Sequence, residues 1–349
     1  MISQSKRKAV VFISAGLGDA ILLLPLVELL RNNGYSVTGL VTSVFPCEQL
    51  FPGTTVFDHL LVARTKARKG WLALKDYRNY QLAIVNYFAA SRSNLLLAKQ
   101  IATMVHTNRI PQNSGKRIAS QVVFFKPKEG IHDAEQNMLL AGNGMHQLKE
   151  SALQLPIPLL GVRTLPETFI ALQLSANHNH DTYKNWPVKH WISFLHLCRR
   201  SFPGLKFILL GDVREMAYAE EVVQANTGNM ESLAGQTTIP EAVAVIQRCA
   251  LFLGLDGGLM HLAAALGKTT FTLWGPSNPL LYGYEIMNPE KHKVISLHLP
   301  CSPCSAWISP NISRFKGPEE CRTRECLADL LPDAVFREFI NFAKKHALV

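Results

Sequence analysis

Short, nearly continuous apolar runs alternate along this chain with longer segments of mixed polarity. Runs of that kind suit strands buried on both faces, and their alternation with helical segments predicts parallel βαβ units. The pattern predicts a strand over residues 9–13, a turn over 14–18 and a helix from 20 to about 32. Strands follow at 37–42 and 82–86, with basic and polar loops or helices between them. Residues 155–166, LPIPLLGVRTLP, carry three prolines and a glycine and read as a linker.

Beyond the linker the same grammar restarts. A strand at 169–174 precedes a polar loop with His178, Asn179 and His180, then a helix over 186–200 and a strand over 206–210. An acidic helix begins near Arg214, followed by a strand at 251–255, a helix at 259–266 and a strand at 269–273. In the last segment Val335, Phe336, Phe339, Ile340, Phe342 and Ala343 recur at helical spacing, which predicts a packed helix with its phenylalanines in the core. The expected fold is α/β, with two doubly wound Rossmann-like domains facing across a cleft. Their expected limits are 1–160 and 161–331, with a C-terminal packing helix over 332–349.

A chain of 349 residues, 48% apolar, has enough apolar material for two cores. Its net charge of +10 is unevenly spread, because between His59 and Lys128 thirteen Lys and Arg face one acid, Asp76. Such a surplus is either an ordinary solvated surface or a site for an anionic partner. The basic span has neither a recognition helix nor an aromatic stacking pattern, so no nucleic acid is expected and phosphorylated ligands or lipid surfaces are preferred. The start of the chain, basic at Lys6, Arg7 and Lys8 and then apolar, superficially resembles a secretory signal. A Gly-Leu-Gly turn with Asp19 interrupts it, no clear small-residue cleavage site follows, and no apolar stretch reaches membrane-spanning length. A cytoplasmic protein is expected, with peripheral membrane contact left open.

Four groups of residues carry candidate chemistry. Gly16-Leu17-Gly18-Asp19 follows the first strand, where the glycines permit a tight turn and close backbone approach. Asp19 at the helix start is suited to capping and, at the mouth of a cleft, to work as a general base. No third glycine completes a dinucleotide fingerprint. The second group, Asp256-Gly257-Gly258-Leu259-Met260-His261, opens a helix whose free N–H groups and imidazole suit a diphosphate, with Gly275-Pro276-Ser277-Asn278-Pro279 alongside. In Lys184-Asn185-Trp186-Pro187, Pro187 suits a first helical turn, Trp186 an edge of the domain, and Lys184 a phosphate contact from the preceding loop. Finally Cys301, Cys304, Cys321 and Cys326 form two close pairs able to offer four thiolates to structural Zn or Fe, with reduced unliganded thiols as the alternative. Cys47, Cys198 and Cys249 read as small buried side chains.

Taken together, GLGDAILLLPLVELLR at 16–31, KNWP at 184–187, the long stretch 233–279 and the cysteine pairs resemble glycosyltransferase family nine, the ADP-heptose:lipopolysaccharide heptosyltransferases and their relatives. The resemblance implies a glycosyltransferase B fold, inversion at the anomeric carbon, and no obligatory catalytic metal. It implies ADP-heptose as donor substrate in the second domain, and an anionic lipopolysaccharide precursor or other glycan as acceptor on the first. Asp19 matches the family's proposed base, Lys184 the lysine near the donor phosphate or sugar, and Asp256 to His261 the donor loop. Arg214 or Glu215, with preference for Glu215, falls where the family contacts the nucleotide ribose.

The implied catalytic set is therefore Asp19, Lys184 and His261. The implied donor contacts are Gly16, Gly18, Lys184, Glu215, Asp256, Gly257, Gly258 and His261. The cysteines are similar to those of the branch that adds a second core heptose and of protein heptosyltransferases with an iron-binding finger. One departure stands out: the family usually has Ser or Thr where this chain has Gly257. The competing readings are a nucleotide-sugar epimerase and a nonenzymatic glycan-binding assembly protein.

Overall fold

The computed structural model describes all residues except 1–5, 52, 112–121, 127, 129, 143, 145–146, 160, 162–163, 177–182, 227, 305–320, 322 and 349. The loop with His178, Asn179 and His180 therefore lies outside the described residues. The chain divides into two compact units, Met1–Pro158 and Leu159–Val349. Among the described residues no helix is long and apolar enough to cross a membrane.

The first unit is built on β1 (Arg7–Ile13), β2 (Tyr35–Val41), β3 (His59–Val62), β4 (Tyr80–Val85), β5 (Ala102–Thr107) and β6 (Val122–Phe124). All pair in parallel in the order β3-β2-β1-β4-β5-β6. In the second unit, β7 (Ile170–Leu172), β8 (Phe207–Leu209), β9 (Met230–Ser232), β10 (Leu251–Leu255), β11 (Thr270–Leu273) and β12 (His292–Ile295) adopt the order β12-β11-β10-β7-β8-β9. Read from its other edge this is the same wiring. Both sheets reverse direction beside their first strand, and in such sheets ligands bind at the carboxyl ends of the strands flanking the reversal. Here those strands are β1 and β4 in one unit, β7 and β10 in the other.

Helices α1 (Leu17–Ile21), α2 (Leu24–Asn32), α3 (Lys66–Lys75) and α4 (Arg92–Ile101) belong to the first unit. The single helix expected from 20 to 32 is broken into α1 and α2. Pro25 explains the break, since its ring lacks an N–H and collides with the carbonyl four residues back, at Ile21. On one sheet face the alternate residues Val10, Phe12, Leu40, Ala83 and Val85 pack against Leu72 of α3 and Leu95, Leu97 and Ala98 of α4. That packing leaves the far sides of α3 and α4 to solvent.

In the second unit the helix expected from Trp186 starts at Val188, with Pro187 as its cap. A residue before proline is pushed out of helical conformation. Trp186 does not sit at a domain edge as expected. It is fully buried, 4.8 Å from the Trp191 ring in edge-on contact, and its indole N–H donates to the Leu330 carbonyl at 2.8 Å. The helix Pro332–Lys345 completes this core, with Phe339 against Phe194 and Phe271.

Candidate functional site

In the second unit Lys184 follows β7 and Asp256 follows β10, so the two neighbouring strands of the reversal bring residues 72 positions apart into contact. Lys184 Nζ donates to Asp256 Oδ2 at 2.5 Å. Burial alone would raise the Asp256 carboxyl, but the Lys184 ammonium, in direct contact, outweighs it and holds the group below the ordinary carboxylate range. His261, on the first turn of the helix Gly258–Ala265, responds in the opposite way. Burial pushes its imidazole down to about 4, against the pull of Asp256 and with the help of Lys184. At neutral pH it is an uncharged hydrogen-bonding group rather than a cation.

Its Nδ1 lies 2.7 Å from the hydroxyl of Tyr284, a residue that no local motif marks. Burial raises the Tyr284 phenol well above its ordinary value, so the O–H is retained. A phenol donating to Nδ1 leaves Nε2–H as the imidazole's donor. The helix start offers backbone N–H groups and an uncharged imidazole beside a lysine already engaged with a carboxylate.

Gly257 caps the same helix in extended conformation, φ −163°, which any residue adopts. A Cβ at this position would lie 3.1 Å from Gln173 Nε2 and 3.2 Å from Gln173 Oε1, closer than ordinary contact. The Gln173 carboxamide, at the end of β7 and buried, thus fills the space into which a side chain at 257 would grow. Farther along the strand ends, Asn185 donates to Ser175 Oγ at 2.9 Å. Glu215 sits in a short helical turn after β8, its Oε2 accepting from the Asp212 amide at 2.9 Å. Burial pushes the Glu215 carboxyl up to about 7, opposed by the Asp212 amide and the Ser175 hydroxyl. Arg214 instead pairs with Asp212 on the exposed side.

In the first unit Asp19 occupies the third position of α1, and its Oδ2 accepts from the Gly16 amide at 3.0 Å. Gly16 is extended, φ −84°, and Gly18 lies within α1, so neither uses the left-handed backbone that glycine alone adopts freely. Asp133 opens the helix Asp133–Leu139 and interacts electrostatically with Asp19. Burial, then the Asp19 charge, push the Asp133 carboxyl up to about 7 against a hydrogen bond from Asn137. Asn137 also donates to the Leu22 carbonyl at 3.2 Å and accepts from Asn86, tying this acid to the ends of α1 and β4. Nothing in the local sequence pattern marked Asp133, because only burial beside another carboxylate makes it unusual.

The expectation of Zn or Fe at Cys301, Cys304, Cys321 and Cys326 is overturned. Among the described residues no group of three or more His, Cys, Asp or Glu side chains is placed to hold a metal ion, and none of the seven cysteines is in a disulfide. Burial, followed by the influence of Cys304, Cys321 and Cys301, pushes the Cys326 thiol up to about 12. Cys326 instead packs beneath Gly275, whose Cβ, if it had one, would stand 3.1 Å from the sulfur. Burial likewise raises the thiols of Cys47, Cys198 and Cys249.

The family model for glycosyltransferase family 9 (heptosyltransferase) matches residues 97–311, more than half of the chain. The chain belongs to glycosyltransferase family 9. Among curated relatives, lipooligosaccharide heptosyltransferase 2 of Haemophilus influenzae is 32% identical over 223 residues, 62% of this chain and 56% of that protein. Lipopolysaccharide heptosyltransferase 2 of Escherichia coli K12 is 31% identical over 160 residues, 44% of this chain and 41% of its own length. The chain spans about half the length of the curated relatives it matches. The solved E. coli ADP-heptose lps heptosyltransferase II superposes with a TM-score of 0.71 at 20% identity, over 98% of this chain and 99% of that one. Likeness at that identity concerns the fold, which is the two-unit glycosyltransferase B architecture.

Proposed function

We propose that this family 9 protein is an inverting glycosyltransferase that moves heptose from ADP-heptose to a lipopolysaccharide core or related surface glycan. The donor is assigned to the second unit and the acceptor to the first. The observation that carries the reading is the cluster at the sheet reversal: Lys184, Asp256 and neutral His261 meet at a helix start rich in free N–H donors. A diphosphate is the ligand that such a cluster suits. Glu215, after the neighbouring strand β8, is assigned to the donor's ribose, and Gly16 and Gly18 to close backbone approach beside the base.

In this mechanism the Asp19 carboxylate takes the proton of the acceptor hydroxyl as its oxygen attacks the anomeric carbon. The bond from that carbon to the donor diphosphate breaks, and its electron pair leaves with ADP. Lys184, the His261 N–H and the amides of Gly257 and Gly258 stabilise the charge gathering on the diphosphate. Because His261 is uncharged, Lys184 supplies the full positive charge in this set, and engaging the donor requires it to share or leave Asp256. The surplus of Lys and Arg in the first unit attracts the anionic acceptor. The protein acts in the cytoplasm, peripherally at the inner membrane.

The test is a mass-spectrometric screen of nucleotide-sugar and glycan-acceptor pairs with wild type and Asp19→Asn. Donor-dependent transfer to an acceptor, lost by at least about a hundredfold in Asp19→Asn, is expected. Transfer undiminished in the variant would eliminate Asp19 as the base. Release of an epimerised sugar nucleotide, or acceptor binding without nucleotide release, would replace the transferase reading.

A further inference from the structure

The outer side of α3 and α4 has a composition unlike a solvated helical surface. On α3, Trp71 is 44% exposed and Leu74 84% exposed, and Tyr77 follows in the next turn with its ring largely in solvent. Cations surround these groups. The Arg68 guanidinium lies 4.2 Å from the Trp71 ring centroid and Lys75 Nζ 4.8 Å from it, while Arg78 stands over Tyr77 at 5.9 Å. On α4 the spacing Arg92, Leu96, Lys99 places another exposed leucine between two basic residues on one helical face. The two helices pack side by side over one sheet face, so the two stripes belong to one layer. Asp76 is the single acid from His59 to Lys128.

A hydrophobic stripe that belonged to the core would be covered, and here the core side is already occupied by Leu72, Leu95, Leu97 and Ala98. A purely electrostatic phosphate site would not need a leucine and a tryptophan pointing into water. Indole and phenol rings, short aliphatic side chains and flanking Lys and Arg are what an interfacial helix presents to a bilayer whose headgroups are anionic. The rings settle at headgroup depth, the leucines reach the acyl boundary, and the cations meet lipid phosphates.

We propose that the α3–α4 layer is a docking surface for an anionic phospholipid bilayer, with Trp71, Leu74, Tyr77 and Leu96 entering the interface and Arg68, Lys75, Arg78 and Arg92 contacting headgroup phosphates. This deepens the membrane-surface part of the function proposed above and is independent of the transfer chemistry.

The experiment is co-sedimentation of the full chain with large unilamellar vesicles of phosphatidylcholine, alone or with about 30% phosphatidylglycerol, at two salt concentrations. The wild type should bind the anionic vesicles at least about tenfold more tightly than the neutral ones and lose most of that preference in high salt. Trp71→Ser/Leu74→Ser should weaken binding by about tenfold or more, since both changes lie on the solvent side of α3 and leave its core contacts intact. Tryptophan emission should shift to the blue on addition of anionic vesicles, and Trp71→Phe should abolish the shift.

Transfer to an acyl-free, water-soluble acceptor, measured on the same proteins, should be unchanged in Trp71→Ser/Leu74→Ser. Intact vesicle binding without transfer by any of the proteins would defeat the transferase reading and leave this one standing. Equal binding to neutral and anionic vesicles, no binding by the wild type, binding unaffected by the double substitution, or self-association that requires Trp71 and Leu74 would each overturn the proposal.

Discussion

Replacing Lys184 by Met should show how strongly the second unit relies on the contact between that lysine and Asp256. The pair is largely buried, its side chains 17% and 6% exposed, and joins the ends of β7 and β10. Removing one partner of a buried pair costs about 3–5 kcal/mol, because the remaining charge is left in a poorly solvating interior. The lower end, about 3 kcal/mol, applies here, since Lys184 keeps some access to water. For a unit the size of Leu159–Val349 this corresponds to a fall in melting temperature of roughly 6–12 °C.

The pH dependence carries a sign. In the wild type the Asp256 carboxyl is held low, so it contributes stability above its unfolded value that disappears as pH falls through its folded value. In Lys184→Met, burial dominates and raises the same carboxyl, so protonation relieves the variant and its deficit relative to wild type shrinks as pH is lowered from 7 to 5. Thermal and urea unfolding followed by the emission of buried Trp186, Trp191 and Trp274 measures both effects. Adding Asp256→Asn to Lys184→Met should recover at least half of the loss. A single variant within about 0.5 kcal/mol of wild type, or a double variant no more stable than the single, would refute the reasoning.

Other groups give independent expectations. The His261 imidazole should titrate at about 4 by NMR; its neutral burial contributes stability above pH 6.5 that is lost as pH falls, by up to about 3 kcal/mol. A midpoint near 6.5 would contradict this. Asp133, raised to about 7, acts in reverse: it favours the fold below its unfolded value and loses that contribution as pH rises, so Asp133→Asn should stabilise the protein at pH 8 by up to about 4 kcal/mol. Urea midpoints that fall at pH 8 on this substitution would count against its burial beside Asp19. Gly257→Ser should cost about 1–3 kcal/mol by crowding the Gln173 carboxamide, and Gln173→Ala should recover most of it. A double-mutant cycle in unfolding free energy with no coupling would reject that contact.

Much of the architecture could be read without coordinates because parallel strands covered on both faces have little choice but continuous apolar runs. The central strands β1, β2, β4, β10 and β11 announce themselves in this way, and the glycine-rich corner before Asp19 and the one before His261 follow directly on two of them. The edge strands β6 and β9 were not legible, being three residues long and only partly buried. Nor was the break at Pro25 read from a sequence whose apolar spacing runs straight through it.

Chain order and side-chain chemistry determined the repeating βαβ wiring, the family motifs and the residue types on offer at each strand end, since periodicity and short-range spacing are properties of neighbours in sequence. Tertiary structure alone decided which of those groups meet and how they are charged. Lys184 reaches Asp256 because β7 and β10 are adjacent in space, His261 is neutral because burial outweighs its carboxylate neighbour, and Gln173 stands where a hydroxyl-bearing side chain at 257 would grow. The paired cysteines show the same limit from the other side. Their spacing suggested ligands, but coordination depends on a geometry that spacing does not report, and among the described residues no metal-holding group is formed.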